Sequence, residues 1–221
     1  MNVLIVGASR GIGLELVRQH RAAGDHVIAT ARDDAGMARL TELGATGLTL
    51  DVTNAASCAG LAWSIDGEAF DIVWLVAGVY GPRTSALQAP TEAEFDAVMH
   101  TNVMAAMRLL PAVADALAPM ARIAVLSSRM GSIGLRVNPG GWLYRASKAA
   151  LNSLLKDASI VLAGRAVCVS LHPGWVRTDM GGAGAEIDVQ HSVRDLRATV
   201  AGLKPEHNGS FLDRDGQPLA W

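Results

Sequence analysis

Hydrophobic residues along the chain form short runs that alternate with longer stretches in which apolar positions repeat with a helical period. The short runs are rich in Val, Ile, Leu and Ala without polar alternation, which is typical of strands covered on both faces. Strands that alternate with helices predict βαβ units and a parallel sheet. The predicted strands are residues 2–6, 26–31, 46–50, 72–76, 122–127, 166–171 and 209–212, and the predicted helices are residues 12–23, 35–43, 55–64, 92–117, 143–163 and 192–203.

This pattern predicts an α/β fold, namely a single doubly wound Rossmann domain over residues 1–221 with about seven parallel strands flanked by helices. A length of 221 residues fits one such domain better than two. Gly and Pro cluster over residues 131–141 and 173–184, and both clusters follow a predicted strand. Ligands of open α/β sheets bind at this carboxyl edge. We therefore expect substrate loops around residues 128–143 and 174–192.

Charged residues are unusually scarce. Half of the residues are hydrophobic and 18% are charged, whereas the usual charged share is about 25%. The segments 100–117 and 143–163 are apolar around most of a helical circumference. Because a helix that is apolar on all sides must be buried on both faces, these segments predict a homodimer or homotetramer.

Charge and cysteine content narrow the possible partners. The net charge is −2 and Lys and Arg do not cluster, so neither nucleic acid nor an anionic membrane is expected as a partner. No apolar run reaches the roughly 20 residues that span a bilayer, and residues 1–7 lack signal-peptide features, so a cytoplasmic location is expected. Cys58 and Cys168 lie far apart and the six histidines are dispersed, which argues against a disulfide framework and a metal site.

A glycine-rich turn lies directly after the first predicted strand and before a predicted helix. Gly7, Gly11 and Gly13 form a GxxxGxG pattern there. Such glycines let the backbone turn sharply and approach a pyrophosphate, whose charge then lies at a helix N-terminus. The pattern therefore predicts a dinucleotide-binding loop.

The end of the second predicted strand distinguishes between the two nicotinamide cofactors. An acidic residue there binds the adenosine ribose 2′-hydroxyl, whereas an arginine accommodates a 2′-phosphate. The chain has Arg32 at this point, and Arg10 adds a second positive group in the glycine loop. These residues predict NADPH/NADP+ as the cofactor, and the following Asp33 and Asp34 keep an NAD interpretation open.

A phenol and an ammonium lie four residues apart in a predicted helix, at Tyr144 and Lys148. This spacing places both groups on one helix face. An ammonium favours the phenolate and lowers the pKa of a phenol toward the neutral range. Upstream, a predicted strand ends at Ser127 and Ser128, which brings a hydroxyl to the carboxyl edge of the sheet.

These motifs and Asn102, with the pairs Asp51-Val52 and Ala77-Gly78 and the segment 172–178, stand in the order found in short-chain dehydrogenases/reductases. The whole chain resembles that family. The segments 128–133 and 215–221 are similar to the C-factor and sniffer-type carbonyl reductase branch. The resemblance implies an NADPH-dependent oxidoreductase that reduces an aldehyde or ketone to an alcohol by hydride transfer.

The resemblance also implies a role for each site residue. Tyr144 is the general acid in reduction and the base in oxidation, and Lys148 holds the nicotinamide ribose and lowers the pKa of Tyr144. Ser128, rather than its neighbour Ser127, binds the substrate carbonyl, and Asn102 orders a water-linked proton relay behind Lys148. The expected cofactor-binding residues are Gly7, Ser9, Arg10, Gly11, Ile12, Gly13, Arg32, Asp51, Val52, Ala77, Gly78, Tyr144, Lys148, Pro173, Gly174, Val176 and Thr178.

Two departures from the family pattern stand out. Val76 replaces the second Asn of the usual Asn-Asn-Ala-Gly, which removes hydrogen bonds between neighbouring strands. The loop before the tyrosine, residues 134–141, is longer than usual.

Five large side chains are expected in loops at the carboxyl edge, namely Tyr80, Met130, Trp142, Trp175 and Met180. Two interpretations stay open for them: as a group they would line an apolar carbonyl pocket, and core packing would account for any one of them alone.

Two alternative functions remain open. A cofactor-binding signalling protein of the C-factor type has no need of the complete Ser-Tyr-Lys set that this chain carries. A reductase of carrier-bound 3-ketoacyl esters would require a basic docking patch, which the sequence does not indicate.

Overall fold

The computed structural model describes residues 1–84 and 87–221, and a seven-stranded sheet of parallel strands forms its centre. The strand order is β3-β2-β1-β4-β5-β6-β7, so the chain winds outward in both directions from β1 and β4. The α/β doubly wound fold expected from the sequence is confirmed. The strands are β1 (Asn2–Val6), β2 (His26–Ala31), β3 (Thr46–Thr49), β4 (Phe70–Leu75), β5 (Leu117–Leu126), β6 (Ala166–His172) and β7 (Ser210–Asp213).

Helices cover both faces of the sheet. Side chains of α1, α2 and α7 pack on one face, and side chains of α3, α5 and α6 pack on the other, so that two apolar layers enclose the strands. This double cover explains why the strands are apolar without alternation. The helices are α1 (Gly11–Ala22), α2 (Asp34–Glu42), α3 (Ala55–Ser64), α4 (Glu92–Met99), α5 (Ala105–Ala114), α6 (Trp142–Val161) and α7 (Val189–Ala201).

The prediction of a single helix over residues 92–117 is wrong in two respects. A π-helical segment (His100–Met104) separates α4 from α5, and the helical region ends at Ala114. The chain then enters β5 at Leu117, which pairs with Phe70, five residues earlier than expected. The cause is an apolar run that suits the end of a helix and the start of a buried strand equally well.

The replacement of the usual Asn by Val76 has a simple structural outcome. At Val76, the backbone N–H groups of Val76 and Ala77 both donate to the Val6 carbonyl, at 2.9 and 3.2 Å. The backbone thus joins the ends of β1 and β4 without an Asn side chain.

Helix α7 begins three residues before its predicted start because Asp188 caps it, accepting a hydrogen bond from His191 N at 2.7 Å.

Within residues 1–84 and 87–221, no helix has the length and apolar character needed to cross a bilayer. The same residues contain no cluster of three or more His, Cys, Asp or Glu side chains suited to a metal ion. Cys58 and Cys168 are both free and buried, and burial raises the pKa of each thiol.

Candidate active site

A cleft of about 590 Å³ opens at the carboxyl edge of the sheet. We call it the glycine-loop cleft, because the loop between β1 and α1 forms one wall. All expected cofactor-binding residues line it except Gly174 and Val176. Those two line an adjoining cavity of about 530 Å³, which we call the tyrosine cavity. Tyr144 lines both spaces and therefore lies where they meet.

The glycine loop is held closely against the strand ends. Gly7 has a φ of +88°, and a Cβ there would lie 2.6 Å from Ala77 N. A Cβ on Gly13 would lie 2.2 Å from the Gly7 carbonyl oxygen. Gly7 N donates to Thr30 Oγ1 at 3.0 Å, so β2 also fixes the turn. Only glycine permits both contacts, which leaves bare backbone facing the cleft.

Four arginines line the cleft, namely Arg10, Arg32, Arg39 and Arg177, and Arg10 differs in placement from what the sequence suggests. Arg10 Nη1 lies 3.0 Å from Asp179 Oδ2, so it forms an exposed ion pair with the loop after β6. Arg32 lines the cleft at the end of β2. Arg39, which the sequence interpretation missed, also lines the cleft, and its Nε donates to the Ser9 carbonyl at 2.8 Å.

The packing of α2 explains the position of Arg39. A Cβ on Gly36 would lie 2.7 Å from Ala31 Cβ and 2.9 Å from Ser9 Cβ, so α2 rests directly on the glycine loop. Arg39 lies three residues later, on the same helix face. In the sequence, the signal for this contact is a glycine, Gly36, followed three residues later by an arginine, Arg39.

Helix α6 carries the expected phenol and ammonium. Tyr144 and Lys148 are 8% and 4% exposed, and Lys148 Nζ lies 5.8 Å from the centre of the tyrosine ring. Lys148 Nζ donates to the Leu126 carbonyl at 2.8 Å, so the end of β5 holds the ammonium in place.

The pKa values of this pair follow from burial. Burial raises the pKa of Tyr144 to about 12, although a hydrogen bond with Ser128 opposes the shift. Burial also lowers the pKa of Lys148 to about 8. The lowered pKa of Tyr144 expected from the sequence is therefore wrong for the protein's own groups, because desolvation of the phenolate outweighs the hydrogen bond with Ser128.

The two neighbouring serines have different partners. Ser127 Oγ donates to Asn152 Oδ1 at 2.6 Å, inside the protein. Ser128 Oγ accepts from Met130 N at 3.1 Å and also bonds the phenol of Tyr144. Ser128 is thus the hydroxyl that adjoins the phenol.

Asn102 lies in the π-helical segment and links three parts of the site. Its amide exchanges two hydrogen bonds of 2.8 Å with the backbone of Val79, and its Nδ2 donates to Ser147 Oγ at 2.9 Å. A Cβ on Gly78 would lie 3.3 Å from Asn102 Oδ1 and 3.4 Å from Lys148 Nζ, so both side chains flank this glycine. The π-helical turn thus ties α6 to the segment after β4.

The tyrosine cavity has mostly apolar walls. Tyr80, Met130, Trp175 and Met180 line it as expected, but Trp142 does not. Leu135 and Val137, from the long loop before the tyrosine, add apolar surface. His172 also lines the cavity, and burial lowers its pKa to about 4, so the imidazole is neutral near pH 7.

The segment 215–221 supports this long loop from behind. The Trp221 carbonyl accepts hydrogen bonds from Ile133 N and Gly134 N at 3.0 and 2.9 Å, and its ring stacks on Phe211 at 5.5 Å. The C-terminal segment therefore helps to position the wall that Leu135 contributes.

A bare glycine turn at the carboxyl edge of a doubly wound sheet, next to a buried Tyr–Lys pair, defines an oxidoreductase of the Rossmann type. A family model described as short chain dehydrogenase matches residues 1–186, and the chain belongs to this family.

Individual relatives agree with this assignment. C-signal of Myxococcus xanthus is 45% identical over 101 residues, which are 45% of this chain and 61% of C-signal. The structure is similar to carbonyl reductase Sniffer of D. melanogaster, with a TM-score of 0.90, 33% identity and coverage of 100% and 99% of the two chains. It is also similar to NADPH-bound carbonyl reductase from chicken fatty liver, with a TM-score of 0.88, 31% identity and coverage of 100% and 98%.

Proposed function

We propose that this protein is an NADPH-dependent reductase that converts an aldehyde or ketone into an alcohol. The observation that carries the proposal is the position of Tyr144, whose buried phenol lies where the glycine-loop cleft meets the tyrosine cavity. A proton donor at that junction can protonate a carbonyl held in the tyrosine cavity while a cofactor occupies the glycine-loop cleft. Oxidation of NADPH in the presence of aldehydes, ketones, diketones and quinones tests the proposal.

The residues of the glycine-loop cleft fit a dinucleotide. The bare backbone at Gly7 and Gly13 would receive the pyrophosphate at the start of α1, and Arg32 and Arg39 would hold a 2′-phosphate. Lys148 would bind the ribose next to the nicotinamide. When bound, NADPH supplies the hydride.

Proton delivery then falls to the chain's own side chains. The phenol of Tyr144 is protonated near pH 7 because its pKa is about 12, and it can donate that proton to the carbonyl oxygen. Ser128 adds a second hydrogen bond to the same oxygen as negative charge develops there. We further propose that residues 128–143 and 174–192 are the substrate loops, since their side chains form most of the tyrosine cavity.

The alternative of a signalling protein is favoured by the similarity to C-signal. A protein that only senses its cofactor would bind NADPH without turnover. The same screen separates the two functions, provided that cofactor binding is measured alongside oxidation.

Cofactor selectivity gives the first prediction. Arg32→Ala and Arg39→Ala should each weaken NADPH binding by about one to two orders of magnitude, because a charge-assisted hydrogen bond contributes about 1.5–3 kcal/mol. Affinity for NADH should change little, since NADH has no 2′-phosphate. Fluorescence titration with both reduced cofactors measures the effect.

Arg10→Ala should have a smaller effect on NADPH binding, because Arg10 is engaged with Asp179. Exposed Arg194, on α7, provides a control for the loss of one positive charge. Tighter binding of NADH than of NADPH by the parent protein would contradict the assignment of the cofactor.

Self-association gives the second prediction. Phe95, Met104 and Met107 expose 47%, 36% and 53% of their surface on the region from α4 to α5, and Ile160 and Val161 are exposed at the end of α6. We propose that these helices pair in a homodimer or homotetramer.

Light scattering at micromolar concentration should report an oligomer, and Met107→Glu should shift it toward the monomer. Trp63→Glu, a matched change at an 86% exposed residue of α3, should leave the assembly intact. A parent protein that stays monomeric at this concentration would contradict the prediction.

A further inference from the structure

The tyrosine cavity has mostly apolar walls, but its charged lining residues all carry positive charge. Three arginines line it, namely Arg83, Arg129 and Arg145, and none of its lining residues among those described is Asp or Glu. His172 in the same wall is neutral near pH 7. Charges in a partly desolvated cavity act more strongly than in water. The cavity therefore favours a ligand with negative charge.

Two of the three arginines already have protein partners. Arg129 Nη2 lies 2.6 Å from Asp213 Oδ2. Arg145 is 6% exposed, and it donates to the Gly140 carbonyl at 2.7 Å and to Asn138 Oδ1. Both hold parts of the wall in place, and the charge of Arg129 is compensated.

Arg83 differs from the other two. It is exposed, and within residues 1–84 and 87–221 it forms no ion pair. One nitrogen, Nη2, donates to the Met180 carbonyl at 2.9 Å, which fixes the guanidinium at the rim. Asp179, which follows Thr178 of the cavity wall, pairs with Arg10 instead. Arg83 thus retains donors for a ligand.

Stacked rings set the position of Arg83 relative to the reacting group. The ring of Tyr80 stacks on that of Tyr144 with centres 4.6 Å apart and an angle of 23° between the planes. The guanidinium carbon of Arg83 lies 5.0 Å from the centre of the Tyr80 ring. The Tyr80 ring therefore lies between the Arg83 guanidinium and Tyr144, the proposed proton donor to the carbonyl.

Apolar side chains form the rest of the rim. Leu135, Val137, Trp175 and Met180 are 40%, 92%, 53% and 40% exposed. Exposed apolar surface around a cavity marks a binding site for an apolar ligand. A ligand that satisfies both features has an apolar body and an anionic end.

We propose that the carbonyl substrate is an apolar aldehyde or ketone with a carboxylate several bonds from the carbonyl, and that Arg83 binds this carboxylate. Arg83 is then a specificity-determining residue. The inference rests on the proposed reductase function and adds the substrate class to it. A planar guanidinium with free donors suits a carboxylate, which it binds through paired hydrogen bonds.

The test uses two aldehydes that differ in one charge, 4-formylcinnamate and its methyl ester. The parent protein should show a kcat/KM for the acid that exceeds the value for the ester by about tenfold or more. Arg83→Gln should lower kcat/KM for the acid by about tenfold more than for the ester, and Arg83→Lys should restore part of the preference. Higher salt should weaken the preference, because the rim is exposed.

The controls separate this inference from the function on which it rests. Arg194→Gln removes a distant positive charge and should change neither kcat/KM value. Equal values for the acid and the ester in the parent, or equal losses of both in Arg83→Gln, would overturn the role of Arg83 while leaving the reductase function intact. Failure to bind NADPH, measured by fluorescence, would instead reject the reductase function itself.

Discussion

Tyr144→Phe is expected to lower the turnover number for carbonyl reduction by about 10²–10⁴, the usual loss when a positioned general acid is removed. The substitution deletes one oxygen and keeps the ring, which is 8% exposed and stacks on Tyr80 at 4.6 Å. Packing should therefore survive, and NADPH affinity should remain close to that of the parent. Steady-state kinetics on any reducible substrate, together with cofactor titration, measure both quantities.

The chain contains one other tyrosine, and it provides the matched control. Tyr80→Phe removes the same oxygen from the ring stacked on Tyr144 and should cost far less turnover. Ser128→Ala should lose turnover with unchanged cofactor affinity, since Ser128 lies in the tyrosine cavity and bonds the phenol. Comparable turnover numbers for Tyr144→Phe and the parent would remove the basis of the proposed mechanism.

Much of this architecture could be predicted from the sequence, because the relevant signals are local. Apolar runs of strand length, separated by helical periods, predict a parallel sheet whatever their partners are. A glycine turn after the first strand and a hydroxyl after the fifth then fall at the same carboxyl edge. The structure brings Gly7, Ser128, Tyr144 and Lys148 to that edge.

The features that the sequence did not reveal depend on contacts between distant residues. The ion pair of Arg10 with Asp179 joins two loops that lie far apart along the chain. The reach of Arg39 to the cleft depends on α2 packing against the glycine loop, which a sequence pattern does not show. The direction of the Tyr144 pKa shift depends on how deeply α6 is buried. Each is a property of packing rather than of spacing.

The opposite pKa shifts of Tyr144 and Lys148 determine how reduction should depend on pH. The phenol must be protonated, and a pKa of about 12 keeps it so across the practical range. The ammonium has a pKa of about 8, lowered by burial, so it is charged below about pH 8 and neutral above. If the charge of Lys148 is needed to bind the cofactor, activity falls at alkaline pH because Lys148 loses its proton, while Tyr144 stays protonated.

For the parent protein, we therefore expect kcat/KM with NADPH as the varied substrate to be constant below about pH 8 and to fall above it. This parameter is the appropriate one because kcat/KM reports the pKa values of the free enzyme. Lys148→Met should bind NADPH more weakly at every pH and should lose the inflection near pH 8. A pH profile of the parent that stays flat through about pH 10 would contradict a role for the charge.

Stability measurements distinguish this effect from misfolding. Lys148 is a buried cation whose hydrogen bond goes to a neutral carbonyl, that of Leu126, and a buried charge without a counterion is costly to keep. Met fills a similar volume without that cost, so Lys148→Met should unfold at or above the temperature of the parent. A variant that is inactive yet at least as stable would show that the buried ammonium is retained for function at the expense of stability. A lower unfolding temperature would instead indicate that Lys148 is needed for folding.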